Sequence, residues 1–161
     1  MIRQFESSDA ETCSGLICDC IRHDAEIPAG LRQALLQAES AQSMEERSRL
    51  FYIAVWETAG VVAGLGGLDM NEIRLLYVSP AHQRRGIGRA ILEHLEGLVP
   101  AALFKNVFVY AAVSASSFYE TRGYVSGGKH VIEIGGQILP TIFMTKPLLP
   151  NLDIEKTADA R

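Results

Sequence analysis

The chain has 161 residues, 48% hydrophobic and 21% charged, with a formal charge of -4. That length suits one buried core and is short for two, so residues 1–149 read as one domain followed by a tail at 150–161. The acidic balance argues against a nucleic-acid partner, which needs a basic face. No apolar run approaches the ~18 residues of a membrane span, so a membrane partner is not expected either.

Met1 leads directly into Ile2-Arg3-Gln4-Phe5, a short strand with no charged-then-apolar leader, and the expected location is cytoplasmic. Ser7 or Ser8 can cap a helix over residues 9–23, with Leu16, Ile17 and Cys20 on its apolar side. The same helix carries Cys13, Cys18 and Cys20, an odd number that makes a disulfide framework a poor reading. Cys13, Cys20 and His23 can be drawn as a metal cluster. Zinc sites use tighter paired spacing, however, and thiols packed as small hydrophobes explain the same residues, so no metal is expected. Pro28 suits the first turn of a second helix, running to residue 37 and burying Leu31, Ala34 and Leu35. Residues 40–49 hold Glu45, Glu46, Arg47 and Arg49 with few apolar anchors and read as a solvated connection or helix end.

Residues 51–56 and 61–68 read as strands paired about Thr58-Ala59-Gly60, with residues 72–78 as the next strand. No helix directly follows Gly64, Gly66 and Gly67, so these glycines read as kinks or bulges in a sheet. Ile87, Ile91, Leu95 and Leu98 recur at steps of three and four and give a helix one apolar face. Residues 107–113 form a nearly continuous apolar strand of the type buried on both faces. A short helix near residues 116–122 stops at Gly123, and residues 129–134 and 141–146 form a last hairpin about Gly135-Gly136.

The stretch Gln83-Arg84-Arg85-Gly86-Ile87-Gly88-Arg89-Ala90 joins strand 72–78 to the following helix. Gly86 and Gly88 let the backbone approach an anion closely, and unpaired N–H groups at a helix start point toward it. Arg84, Arg85 and Arg89 add positive charge. A phosphate-bearing ligand is the first inference, and an arginine-rich surface turn is the plain alternative. A Walker A loop would need Gly-Lys-Ser/Thr, and a dinucleotide fingerprint would need Gly or Ala where Ile91 stands; neither fits. No G-x-S-x-G elbow supports a serine hydrolase. His82 and His94 are expected at the surface, and His130 is not placed by the pattern.

Three ordered pieces carry a family resemblance: Tyr77-Val78-Ser79-Pro80, then Gln83-Arg84-Arg85-Gly86-Ile87-Gly88, then Ala115-Ser116-Ser117-Phe118-Tyr119-Glu120-Thr121-Arg122-Gly123-Tyr124. In this order and spacing the chain resembles the GCN5-related N-acetyltransferases (GNAT). The resemblance implies an α/β (α+β) fold: a mixed, mostly antiparallel sheet of about 6–7 strands flanked by about four helices, splayed between the strands at 72–78 and 107–113. It implies acetyl-CoA as co-substrate, with the diphosphate on the amides of Ile87, Gly88, Arg89 and Ala90 and the pantetheine arm along Leu76, Tyr77 and Val78. Glu72 is the candidate base, with a water-mediated base as alternative. Tyr119 is the candidate acid for the departing thiolate, with aromatic packing as its plain reading.

One position departs from the pattern: many members carry an asparagine for the pantetheine arm where this chain has Ala112. Ser114 or Ser116 can substitute, or can cap the short helix. The expected activity is transfer of an acetyl group to a primary amine of a small molecule or peptide. The rival is a catalytically weak acyl-CoA sensor or adaptor. A monomer and a homodimer are both compatible with the sequence.

Overall fold

A computed structural model describes residues 1–149; the tail expected at 150–161 lies outside the described residues. Its strands are β1 (Ile2–Gln4), β2 (Tyr52–Thr58), β3 (Val61–Asp69), β4 (Glu72–Val78), β5 (Asn106–Ala112), β6 (Val125–Ile134) and β7 (Gln137–Pro147). Its helices are α1 (Ala10–His23), α2 (Ala29–Ala38), α3 (Ala41–Leu50), α4 (Ile87–Leu98) and α5 (Ser116–Glu120). The seven strands form one sheet in the order β1-β2-β3-β4-β5-β7-β6, antiparallel except for the β4–β5 pair. The fold is therefore the mixed, mostly antiparallel one expected, with five α-helices among the described residues against the four anticipated.

The extra helix is α3, in the segment read as a solvated connection. Ser40 and Ser43 exchange side-chain and backbone hydrogen bonds at its start, at 3.0 and 2.9 Å. Met44 is 0% exposed, and Arg47 holds both oxygens of Glu39. One buried methionine and a reciprocal cap suffice for a ten-residue helix whose polar face hides it from a periodicity count. The start of α1 also differs from expectation. Neither serine caps it; residues 7–9 form a 3-10 turn, and the Asp9 carboxylate accepts the Glu6 N–H at 2.8 Å.

Two apolar layers sandwich the sheet. On one face α1 and α3 pack Ile17, Met44, Ile53 and Leu65 together; on the other α4 packs Ile91, Leu92 and Leu95 against Ala63, Val107 and Met144. Leu98, expected in the α4 seam, is 46% exposed, while Leu92 and, just past the helix, Val99 are buried. Strand β5 is not buried on both faces. Val107, Val109 and Ala111 are buried, while Phe108 and Tyr110 face the less covered side and stack with Phe143. The turn at Ala59 and Gly60, with φ of 49° and 75°, closes β2–β3, and Gly135 and Gly136 at 54° and 75° close β6–β7.

Candidate active site

The parallel β4–β5 pairing contains Glu72 opposite Phe108 and Ile73 opposite Val109, and then ends. The cause is visible on the other edge of β4. Gly67 and Leu68 of β3 face Leu75 and Ile73, so Arg74 is an extra residue, and the bulge turns β4 away at that point. From there β4 continues with β3 as far as Gly64 opposite Val78, whereas β5 continues with β7 as far as Ala112 opposite Thr141. Between the diverging strands lies a cleft of about 630 Å³. Leu75, Leu76, Tyr77 and Val78 line one side and Val109, Tyr110, Ala111 and Ala112 the other. Apart from the Val78 carbonyl, which accepts from two side chains, the facing backbone edges are free to pair with an extended ligand.

At the open end, Gly86 is the N-cap of α4 with φ of 80°, and Arg84 is also left-handed at 60°. A non-glycine residue held there stores strain of the kind that collects at ligand-binding turns. The turn aims the amides at the start of α4 outward, but Ala90 is not one of the free donors. Its N–H already bonds the Gly86 carbonyl at 3.0 Å, so the unspent donors of the helix start are those of Ile87, Gly88 and Arg89. Gly88 sits between β4 and α5; a Cβ there would lie 3.4 Å from Val78 Cγ2 and 3.5 Å from the Phe118 ring. Arg84 and Arg85 are exposed with no ion pair among the described residues, whereas Arg89 is held by Glu93 at 2.8 Å. Gln83 turns back and donates to the Val78 carbonyl at 3.1 Å.

Tyr119 lines the cleft and is 5% exposed, wedged edge-on between Phe118 and Tyr124. Its hydroxyl makes no hydrogen bond among the described residues, and burial pushes it above the ordinary phenol range, so it stays a neutral donor. Cys20, reached from α1, donates to the Val78 carbonyl at 3.2 Å; burial pushes its thiol up to about 11, so it remains protonated. Burial likewise raises the Tyr77 hydroxyl to about 12. Ser114 caps no helix: its hydroxyl donates to Asp24 Oδ2 at 3.2 Å, from the chain after β5 to the α1–α2 loop. Ser116 donates to the Val113 carbonyl instead, and α5 has no side-chain cap.

Glu72 is the candidate that the fold separates from the rest. It is absent from the cleft wall, and its carboxylate meets Arg74 at 3.4 Å. Cys20 is a wall residue that sequence reasoning did not place here, whereas Asp24, in the loop after α1, is a carboxylate that the sequence already offers as able to attract a cation beside the acceptor. Helix periodicity put Cys20 on the apolar side of α1, but only the packing of α1 on β4 brings its thiol to Val78. Of the histidines expected at the surface, His94 is half-buried and shares a 3.0 Å hydrogen bond with Tyr52, and the Nδ1 of His82 is buried. His130 is exposed and stacks on Tyr110 at 4.5 Å. Among the described residues no group of three or more His, Cys, Asp or Glu could hold a metal ion, and no helix is long and apolar enough to cross a membrane.

A mixed sheet split between two parallel strands, with a helix N-terminus beside the split, defines the class of GCN5-related N-acetyltransferase folds. Residues 22–141 match the acetyltransferase (GNAT) domain family, and the chain belongs to that family. A GCN5-related N-acetyltransferase from Rhodopseudomonas palustris, also described as a class-II aminotransferase, superposes with a TM-score of 0.86. It is 24% identical, over 92% of this chain and 95% of that one. YncA from Salmonella typhimurium, solved with acetyl-CoA, is 20% identical with a TM-score of 0.67, over 94% and 95% of the two chains. A phosphinothricin acetyltransferase from Sinorhizobium meliloti, also in complex with acetyl-CoA, is 21% identical with a TM-score of 0.71, over 92% and 88%. Comparison with curated protein sequences returns no match.

Proposed function

We propose that the protein is an acetyl-CoA-dependent N-acetyltransferase that acts on a primary amine of a small molecule or peptide by direct attack. The observation that carries the reading is the splay itself. A split between β4 and β5, with unspent amides at one end and, in its wall, the unpartnered hydroxyl of a largely buried tyrosine, fits an extended thioester with a diphosphate at one end and a departing sulfur at the other. The acetyl-CoA complexes of YncA and of the phosphinothricin acetyltransferase support it.

Bound there, acetyl-CoA supplies an activated acyl group. The amides of Ile87, Gly88 and Arg89 would hold the diphosphate, with Arg84 and Arg85 adding charge at the rim. The edge of Leu76, Tyr77 and Val78 would pair with the pantetheine amides, the Val78 carbonyl only in place of its present donors Gln83 or Cys20. At the reacting carbon a C–N bond forms and the C–S bond breaks, and the sulfur leaves with the electron pair. Tyr119 then donates a hydrogen bond to that sulfur. An alkyl thiol has a reference pKa of about 8.5, well below a buried phenol, so Tyr119 stabilises the thiolate by hydrogen bonding more than by full proton transfer. The attacking nitrogen, an ammonium at neutral pH, must lose a proton first. Glu72 would take it through water, since its carboxylate stands on Arg74 outside the cleft wall.

Two measurements test the reading. Calorimetry is expected to show saturable binding of acetyl-CoA, and an amine panel is expected to contain members that release free thiol. Absence of any binding heat overturns the proposal. Binding without amine-dependent thiol release points to the sensor reading instead.

A further inference from the structure

Most partly buried carboxylates of this chain hold a cation: Asp9 and Glu57 share Arg3, Glu39 holds Arg47, Glu72 meets Arg74, and Glu96 holds Lys146. Asp24 lines the cleft, is partly buried, and has no ion pair among the described residues. Its Oδ1 accepts the Glu26 N–H at 3.0 Å and its Oδ2 accepts the Ser114 hydroxyl at 3.2 Å. A carboxylate offers about four lone-pair sites, so acceptor capacity remains. The loop that carries it is fixed from behind: Arg32 Nη2 donates to the carbonyls of Asp24 at 2.8 Å and Ile27 at 3.0 Å. The carboxylate is thus ordered before any ligand arrives, which reduces the entropy lost on binding.

A second, independent observation lies in the same cleft. Tyr119 is 5% exposed, and its hydroxyl has no partner among the described residues. The cleft therefore holds an unpartnered tyrosine hydroxyl and, in Asp24, a carboxylate with no counter-ion among the described residues. Asp24 and Ile27 belong to the α1 side of the sheet, whereas the amide cradle heads α4, which packs on the opposite face. A cofactor on the cradle leaves Asp24 to the other reactant. Ile27, Leu35, Tyr110 and Leu139 give that part of the wall apolar surface. The basic side chains of the wall are His23 and Arg74, and Arg74 is already paired with Glu72.

Resting on the transfer reading above, we infer that Asp24 binds the acceptor's ammonium group, and that the acceptor is a cationic amine with an apolar body. A charge-assisted bond to a half-buried carboxylate distinguishes an ammonium from a neutral group of the same shape.

The probes are phenethylamine hydrochloride and its neutral analogue 2-phenylethanol, titrated by calorimetry at pH 7 into the protein alone and saturated with coenzyme A. The unaltered chain is expected to bind the amine at least about tenfold more tightly than the alcohol, a margin typical of charge-assisted pairing. Asp24→Asn, which retains an acceptor for the Glu26 N–H, is expected to abolish that margin while acetyl-CoA affinity is kept. Equal binding of the two probes by the unaltered chain, no binding of either, or a margin that survives in D24N overturns the inference. The first comparison needs no variant and so stands even if D24N misfolds. Acetyl-CoA binding without an amine preference sinks only the role of Asp24; absence of acetyl-CoA binding sinks the transfer reading.

Discussion

Gly66 of β3 and Ile91 of α4 are in contact through the absence of a side chain: a Cβ built on Gly66 would overlap Ile91 Cγ2 and lie 2.9 Å from Leu95 Cδ1. Gly64 is similarly placed, 2.9 Å from Ile91 Cδ1 and 3.1 Å from Ile87 Cγ2. The glycine-rich stretch of β3 lets the cradle helix lie directly on the sheet, so the N-terminus of α4 is set by contacts well behind the cradle.

Gly66→Ala is therefore expected to destabilise the fold by about 2 kcal/mol, the scale of overpacking a close-packed interior. Gly15→Ala is the contrasting case. Gly15 lies inside α1 with nothing within 4 Å of the added methyl, and helix propensity predicts a gain of about 0.5–1 kcal/mol. Urea unfolding of the two variants checks both signs.

At the cradle, stability and binding separate. A methyl on Gly88 makes ordinary contacts with Val78 and Phe118, so Gly88→Ala should unfold with an unchanged midpoint. It also places carbon beside amides that a diphosphate must approach, and a loss of acetyl-CoA affinity of about tenfold is expected by calorimetry. Gly86→Ala adds strain at φ of 80° and should lower both quantities.

Tyr119→Phe should leave acetyl-CoA affinity within about threefold and lower kcat by about tenfold or more, since only the hydroxyl is lost. The variant has a second signature in stability. Burial raises the folded-state pKa of Tyr119 above the value of about 10 in an unfolded chain. Its contribution is complete below pH 10 and declines as pH rises beyond it, because the unfolded chain ionises first. Tyr119→Phe should flatten that decline, measured as urea midpoints between about pH 9 and 11.

At the opposite edge of the sheet, Arg3 grips both oxygens of Asp9 at 2.8 and 2.9 Å and Glu57 at 2.8 Å. The Arg3 hydrogen bonds hold the Asp9 carboxyl below its ordinary range. A depressed carboxylate contributes above its unfolded pKa and loses that contribution as pH falls through the folded one. Arg3→Gln should cost about 2 kcal/mol at pH 7 and weaken the fall of stability below about pH 4, a comparison that thermal unfolding across pH makes directly.

The cradle was legible because its signals are local. Gly86 must stand where φ is positive, the apolar steps from Ile87 begin beside it, and both survive in any tertiary setting. Strand β4 was readable to the residue for the same reason. Helix α3 was not, since its apolar content amounts to one fully buried side chain, Met44, whose burial depends on α1 lying above it. The face of β5 was misjudged because an apolar run does not reveal that one side of the sheet is only partly covered there.

What the chain alone determined is the order of elements and the presence of a glycine- and arginine-bearing turn between β4 and α4, because turn chemistry and periodicity act over a few residues. Tertiary structure decided which groups meet in the cleft. The Arg74 bulge ends the β4–β5 pairing and leaves Glu72 beyond the wall, while α1 carries Cys20 to Val78 and the loop after it brings Asp24 to Ser114. Those relations depend on strand register and helix packing between residues as far apart as 58 and 90 positions, distances over which no local pattern in the sequence carries information.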